Sequence, residues 1–267
     1  MKTKATTSTT TLFQLITSVT IGGAENIAFA LTDYCKQKDP NLRIYVFEIH
    51  KTKDAYREQL VRYLADRNIK VVTLGWRNKK LSLLLAPFIL LLRIIQLKPA
   101  IIHSHTDLPD FVLSTAKRFL FKPSFRIVRT IHNTILWPTH HMLGKWTESK
   151  LNEDHIAAVS PAALESYRQL RTKYGLAASE HQQVIYNGLH SPKPLPHPFQ
   201  MEPKKINIAF AGRLEEQKGV DILIRIIEAA APMQSHLMFH IAGDGSYRNN
   251  IHSLCANHAH CRYYGAV

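Results

Sequence analysis

Two glycine-bearing turns have the residue types that hold phosphate. The first is Gly22-Gly23-Ala24-Glu25, after the apolar run Leu12–Ile16 and before a helical pattern through Leu31. The second, Gly212-Arg213-Leu214-Glu215-Glu216-Gln217-Lys218-Gly219, lies between the strand-like Ile206–Ala211 and the helical Val220–Ala231. A glycine at a strand-to-helix turn lets backbone N–H groups approach an anion that also sits at the positive end of the helix. Arg213 and Lys218 add a planar fork and a mobile point charge, which suit a diphosphate. An ordinary tight turn also explains a bare glycine pair. Two such turns, one of them carrying both cations, make phosphate chemistry the stronger reading.

Other residues could join them. His132 follows the strand-like Phe125–Ile131, at the carboxyl end where open α/β sheets place their ligands. A lone histidine there is otherwise a hydrogen-bonded loop residue. Gly243-Asp244-Gly245 follows another strand-like run; Asp244 reads either as a helix cap or as a nucleotide contact. His103-x-His105 is expected to end a strand and face an acceptor side, and Ser160 to cap a helix. His252, Cys255, His258, His260 and Cys261 mimic zinc-ligand spacing, but no second pair follows and the expectation is scattered polar histidines. No Asp-x-Asp follows an apolar strand and no Ser/His/Asp or Cys/His set is readable, so no metal is expected.

The elements that must position these groups alternate in type. Strand-like runs are Leu12–Ile16, Leu42–Ile49, Ile69–Leu74, Ala100–His103, Phe125–Ile131, His155–Val159 and Val184–Tyr186. Helical patterns occupy Ala24–Cys35, Tyr56–Arg67, Leu81–Leu97, Phe111–Phe119 and Ala162–Tyr174. Apolar strands alternating with helices imply right-handed crossovers and a parallel sheet covered on both faces. Ser191–Pro198 is too proline-rich for either element and reads as a linker. The alternation then restarts with Ile206–Ala211, Val220–Ala231, Leu237–Ala242, Tyr247–His258 and Arg262–Tyr264. Three strands are fewer than a doubly wound domain normally has, so the second domain is expected to be incomplete at Val267.

Net charge is +14 over 267 residues, and it is unevenly spread. Positions 1–200 hold 27 Lys and Arg against 14 Asp and Glu; positions 201–267 hold 7 against 6. Between 67 and 147 there are 13 basic residues and two acids, Asp107 and Asp110. Such a block makes one positive face, for solubility, an anionic membrane surface or an acidic glycan. Nucleic acid is disfavoured, because no aromatic stacking motif is interleaved with the charges. Leu81–Leu97 is the most apolar stretch; it reads as a crossover helix, with a helix lying in a lipid interface as the alternative. It is short for a span and interrupted by Pro87 and Arg93. Gln14 interrupts the first apolar run, which argues against a signal peptide. Three cysteines without a CxxC pair suit a reducing cytosol better than a disulfide framework.

Gly212-Arg213-Leu214…Lys218-Gly219-Val220-Asp221-Ile222-Leu223-Ile224, followed by Ile241-Ala242-Gly243-Asp244-Gly245, resembles the glycosyltransferase 4 family of the GT-B superfold. Gly22-Gly23-Ala24-Glu25, Thr130-Ile131-His132-Asn133, Ala158-Val159-Ser160 and Val184-Ile185-Tyr186-Asn187-Gly188 fall in the order that family shows. The resemblance implies two Rossmann-type α/β domains: an acceptor-side domain at 1–190, a linker at 191–203 and a partial nucleotide-sugar domain at 204–267. It implies sugar transfer with retention from a nucleotide-sugar donor, and no other cofactor, to a glycan or lipid-linked acceptor in envelope polysaccharide or lipopolysaccharide synthesis. The protein is then expected in the cytoplasm, peripheral on the inner membrane face. His132 would face the donor sugar. Arg213 and Lys218 would neutralise the leaving diphosphate in place of a metal, and Gly22, Gly23, Gly243 and Asp244 would contact the donor. Ser246 stands where the family often has proline, and Leu189 and His190 where it usually has an acid. The family's two glutamates, eight positions apart, do not occur before Val267, so the chain as given is expected to lack transfer activity. A sugar-nucleotide epimerase and a non-catalytic binder are the alternatives.

Overall fold

The computed structural model describes residues 10–20, 22–52, 55–75, 78–152, 155–188 and 201–266. The chain divides into two compact units, Met1–Leu189 and His190–Val267. The expected Ser191–Pro198 linker lies outside the described residues.

The first unit is a parallel sheet of seven strands in the order β3-β2-β1-β4-β5-β6-β7. The strands are β1 (Thr11–Ile16), β2 (Arg43–Glu48), β3 (Lys70–Thr73), β4 (Ile101–His105), β5 (Arg126–Ile131), β6 (His155–Ala158) and β7 (Gln182–Val184). Helices α1 (Gly23–Lys38), α2 (Ala55–Ala65), α3 (Lys79–Leu97), α4 (Asp107–Lys117), α5 (His141–Lys150) and α6 (Pro161–Lys173) connect them. Every residue of the central β1 is buried, as a parallel strand covered on both faces requires. Its side chains alternate: Phe13 and Leu15 join the core that α3 and α4 cover, Leu12 and Ile16 the core beside α1 and α2. Strand order reverses between β1 and β4, which opens a crevice at their carboxyl ends.

The fourth strand runs to His105, so His103 and His105 lie inside it and are only 7% and 1% exposed. The seventh strand is Gln182–Val184 rather than Val184–Tyr186; Tyr186 is 71% exposed. α5 was not anticipated, because its polar, histidine-containing sequence has little apolar periodicity.

Behind β5, two buried arginines hold the helices. Arg129 donates to Asp110 Oδ2 from Nε (3.0 Å) and Nη2 (2.7 Å), and to Glu148 from Nη2 (2.6 Å) and Nη1 (3.1 Å). Arg171 reaches Glu148 Oε2 (3.3 Å), Asn152 Oδ1 (2.7 Å) and the Ala177 carbonyl. β5, α4, α5 and α6 are thereby tied at one buried point. Ionised partners with several hydrogen bonds offset the desolvation of two guanidinium groups. Burial opposes the Glu148 charge, yet its arginine contacts hold the carboxyl below its usual range.

α3 presents two different faces. Ala86, Leu90 and Ile94 are buried, whereas Leu81, Leu84, Phe88, Leu92 and Ile95 are exposed along the other side. Asn78 caps its start, accepting from the N–H groups of Lys80 and Leu81.

The second unit is a parallel sheet of three strands ordered β10-β9-β8. The strands are β8 (Ile206–Ala211), β9 (Leu237–Ala242) and β10 (Cys261–Tyr263), with α7 (Val220–Ala229) and α8 (Arg248–Asn257) between them. Leu214, Val220, Ile227, Phe239, Ile241 and Ile251 are core residues. Cys255 and Cys261 form a disulfide, which the sequence reading did not expect. Their Cα atoms are 4.8 Å apart because α8 folds back onto β10, a proximity that spacing in the chain does not reveal.

Candidate functional site

In the first unit the carboxyl ends of β1, β4 and β5 gather the polar groups. Gln14 and His103 are register partners, as are His105 and Thr130. The period of two puts Gln14, His103 and His105 on one face of the sheet. His132 follows β5 directly and is half-buried. His105 Nε2 lies 2.9 Å from Gln14 Oε1 and its Nδ1 3.1 Å from His132 Nε2. His103 Nε2 lies 2.7 Å from Thr130 Oγ1, and its ring rests 4.1 Å from that of His105. Burial pulls His132 and His103 down to about 4, and His105 well below the ordinary imidazole range. All three rings are therefore neutral at pH 7. The sequence singles out His132, and the other two histidines, expected at a strand end facing an acceptor, lie buried within the strand beside it. Gln14, a polar residue in a wholly buried strand, was the available signal.

Asp107 and Asp110, the two acids of the basic block, point inward. Asp110 pairs with Arg129, and Asp107 Oδ2 accepts the Trp137 N–H at 3.0 Å. Burial raises Asp107 to about 6. The block's exterior is left without acidic neutralisation from within its own sequence.

Gly22 is the extended N-cap of α1, and Gly23 opens that helix. A Cβ at Gly23 would meet nothing within 4 Å. Packing within the unit thus does not require glycine at position 23, whereas at Gly22 the Glu25 carboxylate folds back to where a Cβ would stand.

In the second unit the loops after the three strands bond to one another. Gly212 N–H donates to Ala242 O (3.0 Å), Leu214 N–H to Asp244 O (2.9 Å) and Gly243 N–H to Gly265 O (2.7 Å). Gly243 has φ +144°, and a Cβ on it would fall 1.8 Å from Gly212 O. Two backbones touch there, and only glycine permits it. Glu215 fastens the neighbouring loop by accepting from Ser246 N (3.0 Å) and Oγ (2.7 Å), bonds that lower its pKa. Arg213 and Lys218 are exposed on this loop. Arg213 Nη2 contacts Gln217 Oε1 at 3.3 Å, and neither cation makes a salt bridge among the described residues. Lys218 ends a short 3-10 turn, and Gly219, at φ +71°, caps α7. Asp244 is not the cap of α8, which Tyr247 precedes; its Oδ1 accepts from Gly245 N at 2.9 Å and its Oδ2 lies 3.5 Å from Arg248.

Among the described residues, no group of three or more His, Cys, Asp or Glu is placed to hold a metal ion. His260 Nε2 bonds the Ile227 carbonyl at 3.1 Å. A groove of about 520 Å³, lined by Arg126, His155, Glu180 and His181 among others, lies at the opposite, amino end of β4–β7. The phosphate-type groups and His132 stand at carboxyl ends of strands, so the groove is not where the site is assigned.

No curated protein matches the chain. Among solved structures, a glycosyltransferase from Rickettsia africae matches with TM-score 0.64 at 15% identity, over 97% of this chain and 69% of that one. Anabaena Alr3699/HepE, solved with UDP and glucose, matches with TM-score 0.64 at 20% identity, over 97% and 70%. The lipopolysaccharide outer core galactosyltransferase WaaB matches with TM-score 0.58 at 17% identity, over 97% and 68%. These likenesses establish a GT-B fold. Residues 21–191, nearly two thirds of the sequence, match the model of Glycosyltransferase Family 4, and the chain belongs to that family.

Proposed function

We propose that this glycosyltransferase moves a sugar, with retained configuration, from a nucleotide-sugar to a glycan or lipid-linked acceptor of the cell envelope. The observation that carries this reading is the Gly212–Gly219 loop. Its glycine backbone is pinned against Gly243, and two exposed cations that make no salt bridge among the described residues stand on it. As the bond from the anomeric carbon to the diphosphate oxygen breaks, charge accumulates on the leaving group, and Arg213 and Lys218 neutralise it. The α1 N-terminus at Gly22-Gly23 supplies N–H groups to donor or acceptor oxygens. His132, neutral and half-buried, contacts the sugar, while the acceptor hydroxyl attacks from the face the diphosphate leaves and passes its proton to the departing diphosphate oxygen. Gly243 and Asp244 border the nucleotide. Neither an added cofactor nor a metal is required in this scheme.

The test is calorimetry with UDP-, GDP- and ADP-sugars, and turnover in a version of the protein that carries the family's glutamate pair. Arg213→Ala removes a charge-assisted contact of about 1.5–3 kcal/mol, a loss of roughly ten- to a hundredfold in donor affinity or rate. Equal binding and turnover in variant and parent would remove Arg213 from the site.

The exposed face of α3 supports a second element of this reading. Lys80–Leu97 has a mean hydropathy of 1.9 and is long and apolar enough to cross a membrane by length and composition. One face packs into the sheet core while the other exposes Leu84, Phe88, Leu92 and Ile95, an arrangement suited to lying in an interface. With the basic block around it, we place the protein in the cytoplasm, against the anionic inner face of the membrane.

A further inference from the structure

We infer that Gln14, acting through His105, fixes which ring nitrogen of His132 carries its proton, making both of them positioning residues for the site. The inference rests on the assignment of His132 to the sugar subsite and goes beyond it. It follows from hydrogen-bond direction.

Gln14 Oε1, a carbonyl oxygen, only accepts. His105 Nε2, 2.9 Å away, must therefore donate to it. A neutral imidazole has one N–H, so His105 Nδ1 carries a lone pair. That lone pair faces His132 Nε2 at 3.1 Å, and His132 Nε2 must donate. His132 is then left with a bare Nδ1, which makes no hydrogen bond among the described residues. A bare Nδ1 accepts from a sugar hydroxyl, whereas an Nδ1–H could only donate to its oxygen.

Neutrality of the chain of rings has a structural cause. His105 is fully buried, and His103 stacks on it at 4.1 Å with its own Nε2 engaged by Thr130. A proton gained by one ring would raise the energy of the others, since no carboxylate contacts any of the three among the described residues. The buried Gln14 Nε2 has no hydrogen-bond partner among the described residues. The opposite orientation would reverse every step, giving His132 an Nδ1–H.

Long-range ¹H–¹⁵N spectra of the full chain labelled with ¹⁵N-histidine distinguish the two tautomers, and loss of a signal in His132→Gln assigns it. The wild-type protein should show His132 as the Nε2–H form at pH 7.5. Gln14→Leu should yield a mixture and a roughly three- to tenfold lower kcat, the worth of one hydrogen bond. An Nδ1–H form in the wild type, or an unchanged tautomer in Gln14→Leu, would overturn the relay. If Gln14→Leu does not fold, the wild-type spectrum alone decides. An His132→Ala variant with full transfer activity would instead refute the sugar-subsite assignment, while the tautomer dependence on Gln14 would stand.

Discussion

Acidification from pH 7.5 to 5 should unfold the first unit preferentially, through its neutral histidines. His103 and His132 fall from 6.5 to about 4 on folding. A group depressed in the folded state contributes stability above its unfolded pKa and loses it as pH falls toward the folded value. At pH 5 an unfolded imidazole is almost wholly protonated, a folded one almost not, and each of the two therefore costs about 2 kcal/mol by linkage. His105 shifts in the same direction and adds to the loss. Asp107 works the other way: raised from 3.8 to about 6, it takes up a proton in the folded state and returns about 1.5 kcal/mol over the same interval. Asp110 is also raised and acts in that sense. Glu148, held below 4.5, contributes nothing until lower pH. The balance of the two histidines and Asp107 is a loss of about 2.5 kcal/mol. With an m-value of about 2 kcal/mol per molar, that moves the urea midpoint down by ~1–2 M. All three tryptophans (Trp76, Trp137, Trp146) lie in the first unit, so fluorescence reads its unfolding alone. Asp107→Asn should make the decline steeper. A urea midpoint that stays flat between pH 7.5 and 5 would show that these rings are not held neutral.

Glu148→Ala should destabilise the first unit by about 3–5 kcal/mol, since it removes a carboxylate shared by two buried guanidinium groups, and an unfolding free energy within about 1 kcal/mol of the parent would contradict that. Gly243→Ala forces a Cβ into the Gly212 carbonyl and should cost more than about 2 kcal/mol, seen as faster amide exchange in the second unit. Gly23→Ala, with open space around the new methyl, should keep or slightly raise thermal stability while cutting turnover; unchanged turnover would take the α1 N-terminus out of the site. Binding to anionic liposomes should exceed binding to neutral ones, fall with added salt and drop in Leu84→Asp; sedimentation indifferent to lipid charge would return the α3 face to plain solvent.

The alternation of strand and helix was legible because parallel strands buried on both faces must be apolar along their length, as Leu12–Ile16 is. The glycine motifs were legible because backbone contact, as at Gly243, demands glycine. What the chain did not disclose were tertiary facts. His105 is polar, yet its partners come from β1 and the residue after β5. Arg129 counts toward the positive 67–147 block in the sequence, yet Asp110 and Glu148 surround it in the fold, and Asn152 and Glu148 hold Arg171. Half-exposure of α3 could not be read from Leu81–Leu97, since an apolar helix looks the same whether one face or both are covered. The Cys255–Cys261 pairing depends on how α8 returns to β10.

The reversal of strand order between β1 and β4 also sets the order in which the site can come into being. β1 pairs with β2 across about 30 residues, but the bond from Gln14 to His105 spans 91. A chain emerging from the ribosome can build the β1–α1–β2 half, glycine turn included, before residue 105 has been made. His132 enters later still. The imidazole cluster therefore assembles only when the two halves of the sheet close on each other, a non-local and hence slow event. Partly synthesised or half-folded chains can already carry the α1 N-terminus that would hold an anion, and still lack the groups that would act on its sugar.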